Sequence, residues 1–230
     1  MKKISAGIIL CALIIQSNLA AKAEFADYEG SAPGMITEQE IKIEELNQKE
    51  FDTEKYYKKY KHNTKDGVVM QAMELMNSVS LSQYSYNALM GNNLTGRPFK
   101  IEFKNLAEIN KEYESFDALG WQKPDLLNKT KETLYIYINE KHRNAPPEAI
   151  AALLSHEAVH QDKFASLNEQ TYCWMLEAGV WIKMLENNPE AASAASSLVS
   201  RENMLKKLFE KGDYTDKYIK KAVYTNPGYR

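Results

Sequence analysis

The spacing of hydrophobic and polar positions changes several times along the chain, and each change marks an element. Between Thr37 and Tyr60, charged helix formers are interleaved with Ile41, Ile43, Leu46, Phe51, Tyr56 and Tyr57, a moderately amphipathic pattern that predicts a helix. A better-marked helix is predicted from about Lys65 to Met90, where Val69, Met73, Met76, Leu81, Tyr84 and Leu89 fall near helical spacing and Gly91 supplies a stop. Phe99, Ile101 and Phe103 then alternate with Lys100, Glu102 and Lys104, the two-residue period of a strand with one buried face. Leu106 to Tyr113 reads as a brief helix, and Asp117 to Lys129 as a loop around Gly120, Trp121 and Pro124. The clearest strand follows, with Leu134, Ile136 and Ile138 on one side and Tyr135, Tyr137 and Asn139 on the other.

From Asn144 onward the pattern is helical throughout. Pro146 and Pro147 suit a first turn, and the helix they open is expected to run to about Lys163. Ser166 and Glu169 form an S-x-x-E capping box for a helix to about Glu186. Asn188 and Pro189 begin another that ends near Gly212, and a short last helix covers roughly Tyr214 to Tyr224. The expected fold class is α+β and mostly helical: two N-terminal helices, a short sheet holding residues 98–104 and 133–139, then a helical C-terminal half. Met70, Met73 and Met76 read as core, and Trp174 and Trp181, seven apart, as one packing face.

The first 23 residues stand apart from this pattern. Lys2 and Lys3 precede an apolar stretch from Ile4 to Ile15, and Ala21-Lys22-Ala23 gives an A-x-A end, the layout of a cleavable signal peptide. Gln16, Ser17 and Asn18 interrupt the stretch before the roughly 20 apolar residues a membrane span needs. No membrane anchor is therefore expected after cleavage, and the mature protein is expected in the periplasm or the medium. Residues 24–36 read as a flexible lead-in and 37–230 as one domain. Losing Lys2, Lys3 and Lys22 takes the formal charge from -2 to -5, a balance that argues against nucleic acid as a partner. Only Cys173 remains after cleavage, so no internal disulfide can form.

Candidate chemistry is concentrated in one motif. His156-Glu157-Ala158-Val159-His160 is HExxH, in a chain with four histidines. On a helix, four steps of about 100° return His160 to within roughly 40° of His156, so both imidazoles can meet one metal ion. Glu157 can then serve as general base toward water at that metal. Without a metal these would be ordinary helix residues, yet two stacked histidines beside a carboxylate are costly to bury unpartnered.

This region resembles the active-site helix of zincin metallopeptidases. The resemblance covers roughly residues 133–186 and implies a minimal zincin-like fold, a Zn2+ cofactor, and a peptide or protein substrate. It also implies that extended substrate pairs with a strand edge just before the helix, a place in which Thr133 to Asn139 stands. The metzincin continuation is absent: Phe164 and Ala165 follow where glycine would be needed, and no histidine lies beyond His160. What remains is gluzincin-like, with a glutamate on the next helix as third ligand and water in the fourth position.

Glu169 and Glu177 compete for that role. Relative to Glu169, Cys173, Leu176 and Val180 lie within about 40° on the helix, whereas Glu177 lies about 80° away, so Glu169 occupies the centre of an apolar stripe. Glu169 is the preferred third ligand; Glu177, Asp162 or a residue outside this hairpin stay open, and Glu169 could instead act only in the capping box with Ser166. Tyr172, His142 and Tyr224 are candidates to steady an oxyanion, and Cys173 reads most simply as a small buried residue, with a role as metal ligand or cysteine switch as the alternative. The expected activity is peptide-bond hydrolysis with zinc on His156, His160 and Glu169 and with Glu157 as base. The rivals are a zincin-like module that binds metal without cutting and serves as a binding or scaffold protein, a metal-free helical interaction protein, and a zinc hydrolase of another substrate class.

Overall fold

The computed structural model describes residues 51–124, 132–160, 166–211 and 215–225. The signal peptide, the lead-in, the first part of the helix expected from Thr37, and Asp162 lie outside the described residues. What is described is α+β and mostly helical, with a three-stranded sheet.

Helix α1 spans Thr53–Tyr60 and starts where Asp52 accepts a hydrogen bond from the Lys55 N–H at 3.0 Å. The helix expected to run through this point therefore begins anew, because an N-cap carboxylate satisfies the first free N–H groups. The helix expected over 65–90 is likewise two, α2 (Gly67–Ser78) and α3 (Gln83–Met90), separated by extended Val79 and a 3-10 turn at Ser80–Ser82. Ser82 Oγ donates to the Met76 and Val79 carbonyls at 2.8 and 3.0 Å, replacing helical partners at the break. Gly91 ends α3 as expected, with φ of +77°; a Cβ there would meet the Arg97 and Pro98 backbone.

Strands β1 (Phe99–Lys104), β2 (Ala118–Pro124) and β3 (Glu132–Asn139) form a sheet ordered β1-β3-β2, with β1 parallel and β2 antiparallel to β3. The segment from Asp117 read as a loop holds β2, and β3 is the central strand rather than the substrate-receiving edge. Gly120 and Pro124 hide a strand that carries no strict alternation, and once it pairs, both sides of β3 are occupied. On the buried face Ile101 lies opposite Ile136 and Phe103 opposite Ile138. Leu106 to Tyr113 forms two 3-10 turns, capped by Asn105 and Asn110.

Helix α4 (Pro147–Glu157) is the centre of the molecule. Ala149 to Leu154 are at most 1% exposed, and its run of alanines lets α2 and α5 approach closely. Helix α5 (Leu167–Asn187) opens at Ser166, whose Oγ accepts from the Glu169 N–H at 3.0 Å. It packs on α4 along one face and on α6 (Ser197–Phe209) and α7 (Thr215–Thr225) along another. The helix expected from Asn188 is broken: a 3-10 stretch, Pro189–Ser193, precedes α6, which Ser196 caps through the Leu198 N–H.

Met70, Met73 and Met76 are buried in the main core. Trp181 joins that core, whereas Trp174 lies in a smaller cluster with Leu205, Ile219 and Val223. The two tryptophans are therefore not one packing face: α5 is buried on two sides.

Candidate metal centre

Helix α4 carries His156 in its last turn and stops at Glu157, short of the expected Lys163. In a continuing helix the Ser155 carbonyl would accept the Val159 N–H. Here it accepts Ser85 Oγ of α3 at 2.8 Å, and the Val159 N–H turns back to the His156 carbonyl at 3.2 Å. The last turn is thus tightened and His160 leaves the helix just beyond it. The imidazoles still meet: their ring centroids are 4.7 Å apart in an edge-on arrangement.

Helix α5 faces them with three residues. Cys173 Sγ lies 3.8 Å from His160 Nδ1, Glu169 Oε1 lies 3.6 Å from the same nitrogen, and Gln170 Nε2 lies 3.3 Å from His160 Nε2. Ligand atoms of His156, His160 and Cys173 all fall within 4.8 Å of one another. Tetrahedral zinc, with bonds of about 2.0–2.3 Å, sets its donors roughly 3.5 Å apart, closer than the 4.8 Å span of this group, to which Cys173 belongs and the expected third ligand Glu169 does not.

Electrostatics favour a cation at this place. Burial works against a charged His160, but Cys173, Glu169 and Glu157 around it push it up to about 11. A bound divalent ion would supply the positive charge that these neighbours otherwise draw onto the imidazole. Burial pushes the Cys173 thiol up, with His160 opposing. The donor set of imidazole, carboxylate and thiol suits zinc.

Glu177 occupies a different position from Glu169. It is fully buried, its Oε2 lies 2.9 Å from His156 Nδ1, and it pairs with both terminal nitrogens of Arg201. Burial alone would raise this carboxyl, but Arg201 and His156 hold it well below the ordinary carboxylate range. Neighbouring Glu202 moves oppositely: burial and the Glu177 charge push it well above that range. Arg201 has only a weak signal in the sequence. Its signal there is a charged pair, Arg201-Glu202, set among Leu198, Val199 and Leu205 of the inward face of α6.

The oxyanion candidates fall apart spatially. His142 is buried with Nε2 2.7 Å from Asp117 Oδ1 and Nδ1 3.4 Å from Ser197 Oγ, so both nitrogens are engaged. Tyr172 is 58% exposed, and Tyr224 donates to Asn168 Oδ1 at 3.1 Å.

Asp117 just ahead of β2 meets His142, Lys141 and Arg201. Burial opposes its ionisation, yet the His142 hydrogen bond and the Arg201 charge lower its pKa below the usual value. Its contribution to stability is therefore full above the unfolded carboxyl value, about 4, and is lost as pH falls through the lower folded value. Asp117→Asn is expected to destabilise the protein by about 1–3 kcal/mol at pH 7, with the gap from the unchanged protein narrowing below about pH 4. Denaturant unfolding at pH 7 and at pH 3.5 checks this; a gap of equal size at both would contradict it.

No protein-family model, curated protein or solved structure matches the chain.

Proposed function

We propose that the protein is an exported zinc-dependent metallopeptidase in which His156, His160 and Glu169 hold the ion and Glu157 is the general base. The observation that carries this reading is the convergence of both HExxH imidazoles with Cys173 of α5, beside which Glu169 Oε1 lies 3.6 Å from His160 Nδ1. Zinc bound there would supply Lewis acidity and make water acidic enough to attack near neutral pH. Glu157, half-buried at the end of α4, takes the proton from the attacking water and passes it to the leaving amine. Glu169, first-turn residue of α5, contributes its carboxylate against His160.

An extended substrate would lie along a sheet edge. The inner edge of β1 is β3, and its outer edge is met by Asn63, whose carbonyl takes the Ile101 N–H at 2.8 Å and whose Nδ2 donates to the Phe99 carbonyl at 3.0 Å. Among the described residues β2 pairs only with β3, so its outer side is the better place for an added strand.

A second reading of the third donor rests on Cys173, which belongs to the close group with the two histidines. Cobalt substitution separates the two: a thiolate ligand gives a strong near-ultraviolet charge-transfer band, and a carboxylate does not. The function itself is tested by incubating the purified protein with a mixed peptide library. Cleavage is expected to stop on chelation and to return with stoichiometric zinc; cleavage that survives complete removal of metal would sink the proposal. Stoichiometric zinc without turnover of any peptide would favour the non-cutting binding module instead.

A further inference from the structure

A fully buried carboxylate at Glu177 needs a reason. Replacing a buried ion pair by well-packed apolar residues is often neutral or favourable for a fold, so the pair with Arg201 is poorly explained by stability alone. Its geometry suggests another role. Glu177 Oε2 receives both Arg201 Nη2, at 2.9 Å, and His156 Nδ1, at 2.9 Å, while Oε1 takes Arg201 Nη1. The guanidinium is itself held from three elements. Arg201 Nε lies 3.2 Å from Asp117 Oδ2 at the start of β2, Nη1 donates to Glu202 Oε1 at 3.1 Å on its own helix, and the Trp174 ring lies 5.6 Å from its centre. Asp117 is in turn fixed by His142 at 2.7 Å. The result is a continuous chain, His142–Asp117–Arg201–Glu177–His156, that runs from the sheet to the HExxH helix.

We propose that Arg201 is a positioning residue for the metal centre: its fork fixes the plane of Glu177, and Glu177 fixes the His156 ring with Nδ1–H inward and Nε2 available to the ion. The inference rests on the reading of His156 as a metal ligand. A carboxylate that accepts from one ring nitrogen selects the tautomer and orientation presented by the other. A planar guanidinium can make the paired bonds to Glu177 and still reach Asp117 through Nε. Lysine, with a single nitrogen, keeps the charge but cannot hold both carboxylates in these directions.

The test compares the unchanged protein with Arg201→Lys and with Asn203→Ala. Asn203 accepts from Trp181 Nε1 at 3.2 Å and donates to the Ala192 carbonyl at 2.9 Å, so its loss weakens the packing of α6 without touching the chain of charges. Two quantities are read: zinc affinity by competition with a chromophoric chelator, and the His156 tautomer in zinc-free protein by long-range 15N NMR. Arg201→Lys is expected to weaken zinc binding about 10- to 100-fold and to mix the tautomers. Asn203→Ala is expected to leave both unchanged while lowering the melting temperature. If Arg201→Lys does not fold, Asp117→Asn takes its place, with weakening of at least about threefold and the same mixing expected, since it removes only the Nε anchor. Zinc affinity within twofold of the unchanged protein, together with an unaltered tautomer, overturns the proposal for whichever variant is read. Absence of zinc from the unchanged protein would instead overturn the metal reading on which the proposal rests.

Discussion

Glu157→Gln is expected to bind zinc as tightly as the unchanged protein and to cleave peptides about 10²- to 10⁴-fold more slowly. The side chain stands at the last position of α4, half-buried, and its charge is felt at His160. A carboxamide keeps its size and its place at the helix end but cannot take a proton from water. The loss should therefore fall on kcat with little change in KM, and zinc content should stay at one per chain. Steady-state kinetics on a cleaved library peptide, with metal analysis of the same preparation, checks both halves. Full activity in this variant would remove Glu157 from the mechanism.

His160→Ala is expected to lose stoichiometric zinc and all measurable hydrolysis. Apparent zinc binding energies of about 10–16 kcal/mol, spread over four donors, put about 3 kcal/mol on each, so the affinity should fall at least about 100-fold. The zinc-free variant should nevertheless keep its helices. His160 lies beyond the end of α4 with a quarter of its side chain exposed, and the alanine removes an imidazole whose Nδ1 faces both Cys173 and Glu169. Circular dichroism of the metal-free forms and zinc titration of both distinguish loss of a ligand from loss of the fold. Equal zinc content in the variant and the unchanged protein would show that the ion, if present, sits elsewhere.

How much of this was legible in the sequence depended on whether a local pattern or a remote partner decided the outcome. β1 and β3 were readable because Ile101, Ile136 and Ile138 recur with period two on one buried face. The start of α5 was readable because Ser166 and Glu169 are a local cap. β2 was not, since its identity as a strand comes from pairing with β3 rather than from its own residues. The end of α4 was set by Ser85, 70 residues earlier, whose hydroxyl donates to the Ser155 carbonyl.

The site divides in the same way. The spacing of His156 and His160 made their approach legible, although the helix that was to impose it stops at Glu157. Angular reasoning on α5 set Glu169 above Glu177 by assuming a single inward stripe. The helix is buried on two faces, between α4 on one side and α6 and α7 on the other, so Glu177 lies deeper than Glu169. Cys173, read as a small packing residue, stands beside His160. Arg201 and Asp117 could not be joined to the site without knowing that α6 brings Arg201 onto Glu177 and that Asp117, ahead of β2, meets Arg201.

X-ray absorption at the zinc edge, on protein purified with its metal, decides whether the two histidines hold the ion. One zinc per chain is expected in a shell of nitrogen and oxygen at about 2.0–2.2 Å, with the scattering signature of two imidazoles that is lost in His156→Ala and in His160→Ala. Protein that retains no zinc under zinc-replete conditions, or a zinc shell unchanged in both histidine variants, would contradict it.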